Sequence, residues 1–270
     1  MNAPDFQYLI DVLKQRSGLV LTSDKGYLIE SRLLPIARDH GLDNLEDLVA
    51  KVRQTQDENL LIAITEAMTT NESFFFRDEK PFAIFREQTL PHLIETRAAK
   101  KQLRIWCAAA STGQEPYSLA IILKEEEAKL AGWRVEILGT DLSVEVLEKS
   151  RVGLYSQFEV QRGLPIQMLM KYFDQVNELW QIDPGIRSMV KYQQFNLLDD
   201  FRTFGQFDVI FCRNVLIYFD QETKSDILGR MSAQLTPDGS LFLGGAETVL
   251  GITEAFKPIP GLRGVYGQAA

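Results

Sequence analysis

Leu103-Arg104-Ile105-Trp106-Cys107-Ala108-Ala109-Ala110-Ser111-Thr112-Gly113-Gln114-Glu115-Pro116 divides this 270-residue chain into two parts of different character. Residues 103–110 form a short apolar run that reads as a strand. A loop of small and polar residues follows, then a helical pattern to about Leu130. Downstream the alternation repeats. Residues 135–139 and 207–211 read as strands, 143–150 and 221–235 as helices, Pro237-Asp238-Gly239 as a turn and 240–243 as a strand. Strands alternating with helices predict an α/β fold with a mostly parallel sheet covered on both faces. Ligands bind such sheets at the carboxyl ends of the strands, near the topological switch.

Residues 154–195 interrupt that rhythm. Residues 165–173 look helical, and Leu179–Ile182 and 189–195 look like short strands around the turn Asp183-Pro184-Gly185. They predict a small antiparallel insert, centred on about residues 171–195. Upstream of Leu103 the pattern is helical. Phe6, Leu9, Ile10 and Leu13 follow the helical spacing and Gly18 stops it. Ser23-Asp24 can cap a second helix to about Arg38, with Pro35 as a possible kink. Leu45, Leu48, Val49 and Val52 predict a third helix, and Leu60, Leu61, Ile64 and Met68 a fourth. After Thr69-Thr70-Asn71-Glu72-Ser73 a connecting helix runs over 79–97. The expected organisation is a helical N-terminal domain with its connecting helix over 1–95 and an α/β domain over 96–270.

Composition narrows the function. Lys+Arg number 29 against 37 Asp+Glu, a net charge of -8, so bulk attraction to nucleic acid or an anionic membrane is not expected. Cys107 and Cys212 form no CxxC pair, and as buried thiols they fit a reducing cytoplasm. His40 and His92 lack metal-site spacing, so no metal is expected. The apolar runs fall well short of the ~20 residues of a membrane span, and the first residues do not read as a signal peptide.

The loop after the first strand lacks G-x-G-x-x-G. Its small residues still allow a ligand close to the backbone. Glu115 at the helix start would repel a pyrophosphate and suit an ammonium group; Thr112-x-x-Glu115 reads equally well as a capping box. Asp141, after the second strand, suits the two hydroxyls of a ribose, or is a loop aspartate before a helix. Asn196-Leu197 and Asn214-Val215 fall where sheet loops meet the ligand crevice, where an asparagine reads as a contact to a base edge or a main-chain carboxylate, or simply as a turn residue. Phe74-Phe75-Phe76 reads as a hydrophobic plug between domains. Arg77 beside it reads as a pre-organised guanidinium for a carboxylate, or as a surface arginine.

Several of these stretches carry a resemblance. Thr70-Asn71-Glu72-Ser73-Phe74-Phe75-Phe76-Arg77, residues 106–118 and Cys212-Arg213-Asn214-Val215-Leu216-Ile217-Tyr218-Phe219 resemble, in order, three motifs of the chemotaxis receptor methyltransferases, the CheR family. Asn196-Leu197-Leu198 and Pro237-Asp238-Gly239 match as well, and the likeness spans residues about 5–266. The resemblance implies a Rossmann-like domain dependent on S-adenosylmethionine, with a small antiparallel β-subdomain insert and an all-helical N-terminal domain. It implies methyl transfer to glutamate carboxylates of chemoreceptors, with S-adenosylhomocysteine as the other product. By position, Asn71, Ser73, Arg77, Glu115, Asp141, Asn196, Leu197, Asn214 and Val215 match the family's cofactor-contacting residues. Arg77 and Tyr218 would lie nearest the transferring methyl, with Arg77 holding either the substrate carboxylate or the cofactor's own.

The implied partner is the cytoplasmic domain of chemoreceptors, met by a cytoplasmic monomer. Two departures stand out. Pro35-Ile36 occupy positions often basic in the family, leaving Arg32 and Arg38 as local cations. Residues 173–179 are short and lack the glycine of members that dock on a receptor's C-terminal pentapeptide, which predicts independence of that tether. A nicotinamide oxidoreductase is disfavoured by the missing glycines and by Glu115. A non-catalytic adaptor is disfavoured by the presence of Arg77, Glu115, Asp141 and Tyr218.

Overall fold

The computed structural model describes residues 2–269, without the side chain of Ser23. The chain forms two compact units. One comprises the residues up to Thr70 together with Tyr218–Thr223; the other comprises Asn71–Ile217 and the chain from Lys224.

The first unit holds four helices, α1 (Ala3–Ser17), α2 (Gly26–Asp39), α3 (Leu45–Thr55) and α4 (Glu58–Met68). Asn2, Asn44 and Asp57 start α1, α3 and α4 by accepting from backbone N–H groups of the first turn, and Gly18, at φ 74°, ends α1. The helical spacing buries Leu9, Leu13, Ile29, Leu33, Leu48, Val52, Leu60 and Ile64 completely in one core. The start of α2 differs from expectation. A 3-10 turn, Ser23–Lys25, precedes it, and its cap residue is Lys25, which makes no side-chain cap bond. The Ser23 side chain lies outside the described residues. Pro35 stays within one unbroken helix. Arg32 is committed locally: it donates to the carbonyls of Met68 and Thr69, both at 2.9 Å, and so closes the C-terminal end of α4.

The second unit begins with α5 (Lys80–Ile84), a π-turn over Phe85–Thr89, and α6 (Leu90–Thr96). This single bulged helix replaces the expected regular one. Pro91 explains the bulge, since its ring cannot fit beneath a regular α-helical turn and the widened turn relieves the clash. There follow β1 (Gln102–Cys107), α7 (Gln114–Glu125), β2 (Arg134–Asp141), α8 (Val144–Val152), β3 (Leu154–Ser156), α9 (Gln157–Gln161), α10 (Ile166–Tyr172), β4 (Phe173–Val176), β5 (Leu179–Ile182), α11 (Pro184–Ser188), β6 (Val190–Gln194), β7 (Phe207–Cys212), α12 (Gln221–Gln234), β8 (Leu235–Leu243), β9 (Phe256–Pro258) and β10 (Val265–Gln268). The main sheet has the order β6-β2-β1-β7-β8-β10-β9, and β3-β5-β4 form a separate antiparallel sheet. Strands β6, β2, β1, β7 and β8 run parallel, while β10 pairs antiparallel with β8, and β9 antiparallel with β10.

Three placements differ from the sequence reading. Residues 190–194, expected in the insert, form the parallel edge strand β6, with Ile137 opposite Val190 and Gly139 opposite Tyr192. A Cβ on Gly139 would meet the Tyr192 ring at 2.8 Å, so this glycine lets the two strands seat together. Strands β9 and β10 had no clear sequence signal. Phe75, Phe82, Phe85, Leu90 and Leu93 belong to the core of this second unit, although the first is in the expected plug and the rest in the expected connecting helix.

Away from the carboxyl ends of the strands, Arg97 donates to Asp208 at 2.9 Å and to Asp238. Arg97 holds the Asp238 carboxyl at about 2, below its ordinary 3.8. Among the described residues no helix is long and apolar enough to cross a membrane.

Candidate functional site

The chain leaves β1 for β2 and β6 on one side, then returns to β7 and β8 on the other. The sheet order therefore reverses between β1 and β7, and a crevice for a ligand is expected at their carboxyl ends. The loop after β1 starts against the end of β7 there: Ala108 N–H donates to the Phe211 carbonyl at 2.8 Å. Both loops bend through left-handed backbone, at Ser111 (φ 48°) and Asn214 (φ 58°).

Glu115 lies in the first turn of α7 and is only 8% exposed. The capping-box alternative is not what forms, because the α7 cap is Gly113 and has no side-chain cap bond. Instead Glu115 Oε2 accepts from Arg213 Nη1 at 2.8 Å. Its Oε1 is buried and has no partner among the described residues. Burial pushes the Glu115 carboxyl above the ordinary carboxylate range, and Arg213 opposes that shift. An acceptor of this kind, close to a helix N-terminus and half-satisfied, fits a cationic donor such as an ammonium group.

Arg213, the residue after β7, reaches further. Its Nη2 donates to the Arg77 carbonyl at 2.9 Å and to Asp78 Oδ2 at 2.7 Å. The turn it holds is strained, with Phe76, Asp78 and Glu79 all at positive φ (51°, 69° and 49°). Such backbone costs roughly 1–3 kcal/mol per residue and persists only where its surroundings fix it. Phe76 N–H donates to Ser118 Oγ at 2.9 Å, anchoring the turn to α7. Arg77 itself donates to the Glu72 carbonyl at 2.7 Å and lies 5.4 Å from the centre of the Phe74 ring. Arg162 lies 4.2 Å from the same ring and pairs with the Glu72 carboxylate at 2.5 Å. The three phenylalanines thus divide: Phe75 and Phe76 are buried, while Phe74 is a platform for two guanidinium groups.

Asp141 ends β2. Its Oδ2 accepts from Ser111 N–H at 2.8 Å and its Oδ1 from Ser143 N–H at 3.1 Å. Ser111 Oγ donates to the Asn71 carbonyl at 2.8 Å, which brings the 71–77 segment to the same loop. Ser73 is partly buried within that segment. Asn196 Oδ1 accepts from Leu198 N–H at 3.1 Å, forming a side-chain turn beside the buried Leu197.

Asn214 and Val215 are held by a residue that sequence reading missed. The Glu247 carboxylate accepts from the N–H groups of Asn214, Val215, Leu216 and Gly244, at 2.7–3.0 Å. Gly244 is needed beside it, because a Cβ there would lie 2.7 Å from Glu247 Oε2 and 2.8 Å from Asn214 Nδ2. An acidic residue after a glycine pair at a strand end was the available signal. Tyr218 lies with the helical unit, where its carbonyl accepts from Val20 N–H at 2.9 Å. The site residues carried by the second unit are therefore gathered on loops at one end of its sheet.

Comparison with known proteins identifies the family. Residues 71–265 match the family model described as the CheR methyltransferase, SAM binding domain, and residues 4–69 the CheR methyltransferase, all-alpha domain. Chemotaxis protein methyltransferase 1 of Pseudomonas aeruginosa is 40% identical over 269 residues, covering 98% of this chain and 97% of that protein. A chemotaxis protein methyltransferase of Pseudomonas putida is 37% identical over 98% of both chains. That of Salmonella typhimurium is 35% identical over 93% of this chain and 86% of its own. S-adenosylmethionine is therefore the cofactor. With its all-helical domain followed by a SAM binding domain, the chain belongs to the CheR family of chemotaxis protein methyltransferases.

Proposed function

We propose that the chain transfers the methyl group of S-adenosylmethionine to glutamate side chains of chemoreceptors, forming methyl esters that adapt the signalling response. The observation that carries the reading is Glu115 Oε1, a buried acceptor without a partner among the described residues, at the switch point of a domain from a cofactor-binding family. In this reading Glu115 accepts from the cofactor's ammonium and Asp141 from its ribose. Asn71, Ser73, Asn196, Leu197, Asn214 and Val215 line the cofactor. When bound, S-adenosylmethionine supplies a methyl group already activated on a sulfonium.

The remaining work asks little of acid–base chemistry. A substrate glutamate, with an ordinary pKa of ~4.3, is ionised at neutral pH. The protein must orient that carboxylate and strip part of its water. Arg77 suits this role: its guanidinium is pre-set by the Glu72 carbonyl and the Phe74 ring and keeps donors for a carboxylate. The assignment of Tyr218 as a second orienting donor rests on its place in the motif. Two further points concern the partner. The turn joining β4 to β5 is only two residues, Asn177 and Glu178, which supports independence of a pentapeptide tether. Arg32 is tied to the end of α4, so Arg38 is the more available cation of the α2 pair for an acidic receptor helix.

The test is incubation of the full chain with methyl-labelled S-adenosylmethionine and receptor-containing membranes. Label released as methanol by mild base identifies a carboxyl methyl ester. Base-stable label, or none with the cofactor bound, rejects glutamate esterification.

A further inference from the structure

We propose that Arg213 is a positioning residue that couples cofactor binding at Glu115 to the set of the Arg77 turn. The inference rests on the reading that the switch-point crevice holds S-adenosylmethionine. It names a residue that the motif-based site assignment leaves out.

Arg213 is 5% exposed, and its two terminal nitrogens serve different parts of the site. One donates to Glu115 Oε2 at 2.8 Å. The other donates to the Arg77 carbonyl at 2.9 Å and to Asp78 Oδ2 at 2.7 Å. The guanidinium also lies 5.6 Å from the centre of the Phe82 ring, which packs within the same core. Its Nε makes no hydrogen bond among the described residues, so its polar contacts run through the two terminal nitrogens.

A structural role alone does not account for this arrangement. Buried ion pairs are weak contributors to stability, and a core arginine could be replaced by apolar packing. The geometry here is specific. Arg213 uses one oxygen of Glu115 and leaves the other, Oε1, without a partner. It also grips the backbone carbonyl of Arg77 in a turn where three of four residues have positive φ, a conformation that relaxes unless fixed. A planar fork spans both tasks; a lysine ammonium, a single point of charge, does not. Arg213 therefore keeps Glu115 available as an anion for the cofactor's ammonium and, through the same plane, sets the backbone that aims the Arg77 side chain.

The test uses the full chain with Arg213→Met, Arg213→Lys, Asp78→Asn, Glu115→Gln and the Glu115→Gln/Arg213→Met double variant. S-adenosylhomocysteine affinity is read by calorimetry and turnover at saturating cofactor by label transfer. Arg213→Met is expected to lose about tenfold or more in affinity, the range of a charged hydrogen bond, and to lose turnover as well. Arg213→Lys should recover most of the affinity, having a charge beside Glu115, but not the turnover. Asp78→Asn should keep the affinity and lower the turnover. The double variant should bind no more weakly than Arg213→Met.

Wild-type affinity and turnover in Arg213→Met, full recovery of both in Arg213→Lys, or multiplicative losses in the double variant would each overturn the coupling. If Arg213→Met does not fold, Arg213→Lys and Asp78→Asn decide. A wild-type chain that binds no S-adenosylhomocysteine defeats the reading of the site. Binding weakened by Glu115→Gln with every Arg213 variant unaffected defeats this inference alone.

Discussion

The two units handle charge in opposite ways. In the helical unit the ion pairs lie at the surface: Lys14 with Asp220, Arg16 with Glu58, Arg53 with Asp5. Its interior is aliphatic side chains at helical spacing. The α/β unit takes carboxylates inside. Glu115, Asp208 and Glu247 are each below 10% exposed, and each is met by a guanidinium or by backbone N–H groups. Surface pairs are screened and contribute little. Buried carboxylates cost much to desolvate and persist where they shape something. The contrast teaches that hydrophobic burial organises the helical unit, whereas in the α/β unit buried charge organises both ends of the sheet, Asp208 at the start of β7 and Glu115 and Glu247 at the switch-point end.

Substitutions can break or sharpen this contrast. The largest expected effect is on turnover: Arg77→Ala should lower methyl transfer by about 100-fold or more, as loss of a preorganised charge-stabilising donor does. Cofactor affinity in the same variant separates its two candidate roles, since an unchanged affinity assigns Arg77 to the substrate carboxylate. Next, Glu247→Ala strands four backbone N–H groups. Because each buried unsatisfied donor costs about 1–3 kcal/mol, urea unfolding should show a loss of several kcal/mol. A loss no greater than that of a surface pair would break the comparison. In the helical unit, Leu33→Ala should cost about 2–5 kcal/mol by the same measurement, from lost burial and the cavity left behind.

A smaller effect is read as a pH dependence. Arg97 holds the Asp238 carboxyl at about 2, so between the ordinary 3.8 and about 2 the folded chain binds fewer protons than the unfolded one. The stability this group adds is present above that window and is lost as pH falls through it. Asp238→Asn should therefore flatten the acid limb of stability between about pH 4 and pH 2. The smallest effect belongs to Lys14→Ala at the exposed pair with Asp220, which should leave the thermal midpoint nearly unchanged.

Much of the fold was legible because it follows from short-range rules. Leu9 and Leu13, or Leu48 and Val52, sit at helical spacing and are all buried, and the apolar residues of β1 and β7 reflect burial on both faces of the sheet. What was hidden depended on pairing over long separations. Arg213 meets Glu115 across 98 residues, and Glu247 meets Asn214 across 33. No local pattern says which carboxylate a buried arginine will find. Residues 190–194 were read as a strand but placed in the insert for the same reason, because the parallel pairing of Val190 with Ile137 leaves no mark in the local sequence. The left-handed turn at 76–79 was equally hidden, since Phe76 and Glu79 are residue types that ordinarily avoid that conformation.

The central claim is that Glu115 presents a buried oxygen to the cofactor's ammonium. Calorimetric titration of the full chain and of Glu115→Gln with S-adenosylhomocysteine, and with 5′-methylthioadenosine, which lacks the amino acid end, tests it most directly. The account predicts that Glu115→Gln weakens S-adenosylhomocysteine by about 10- to 100-fold and leaves 5′-methylthioadenosine unchanged. Equal affinity of the two chains for S-adenosylhomocysteine would contradict it.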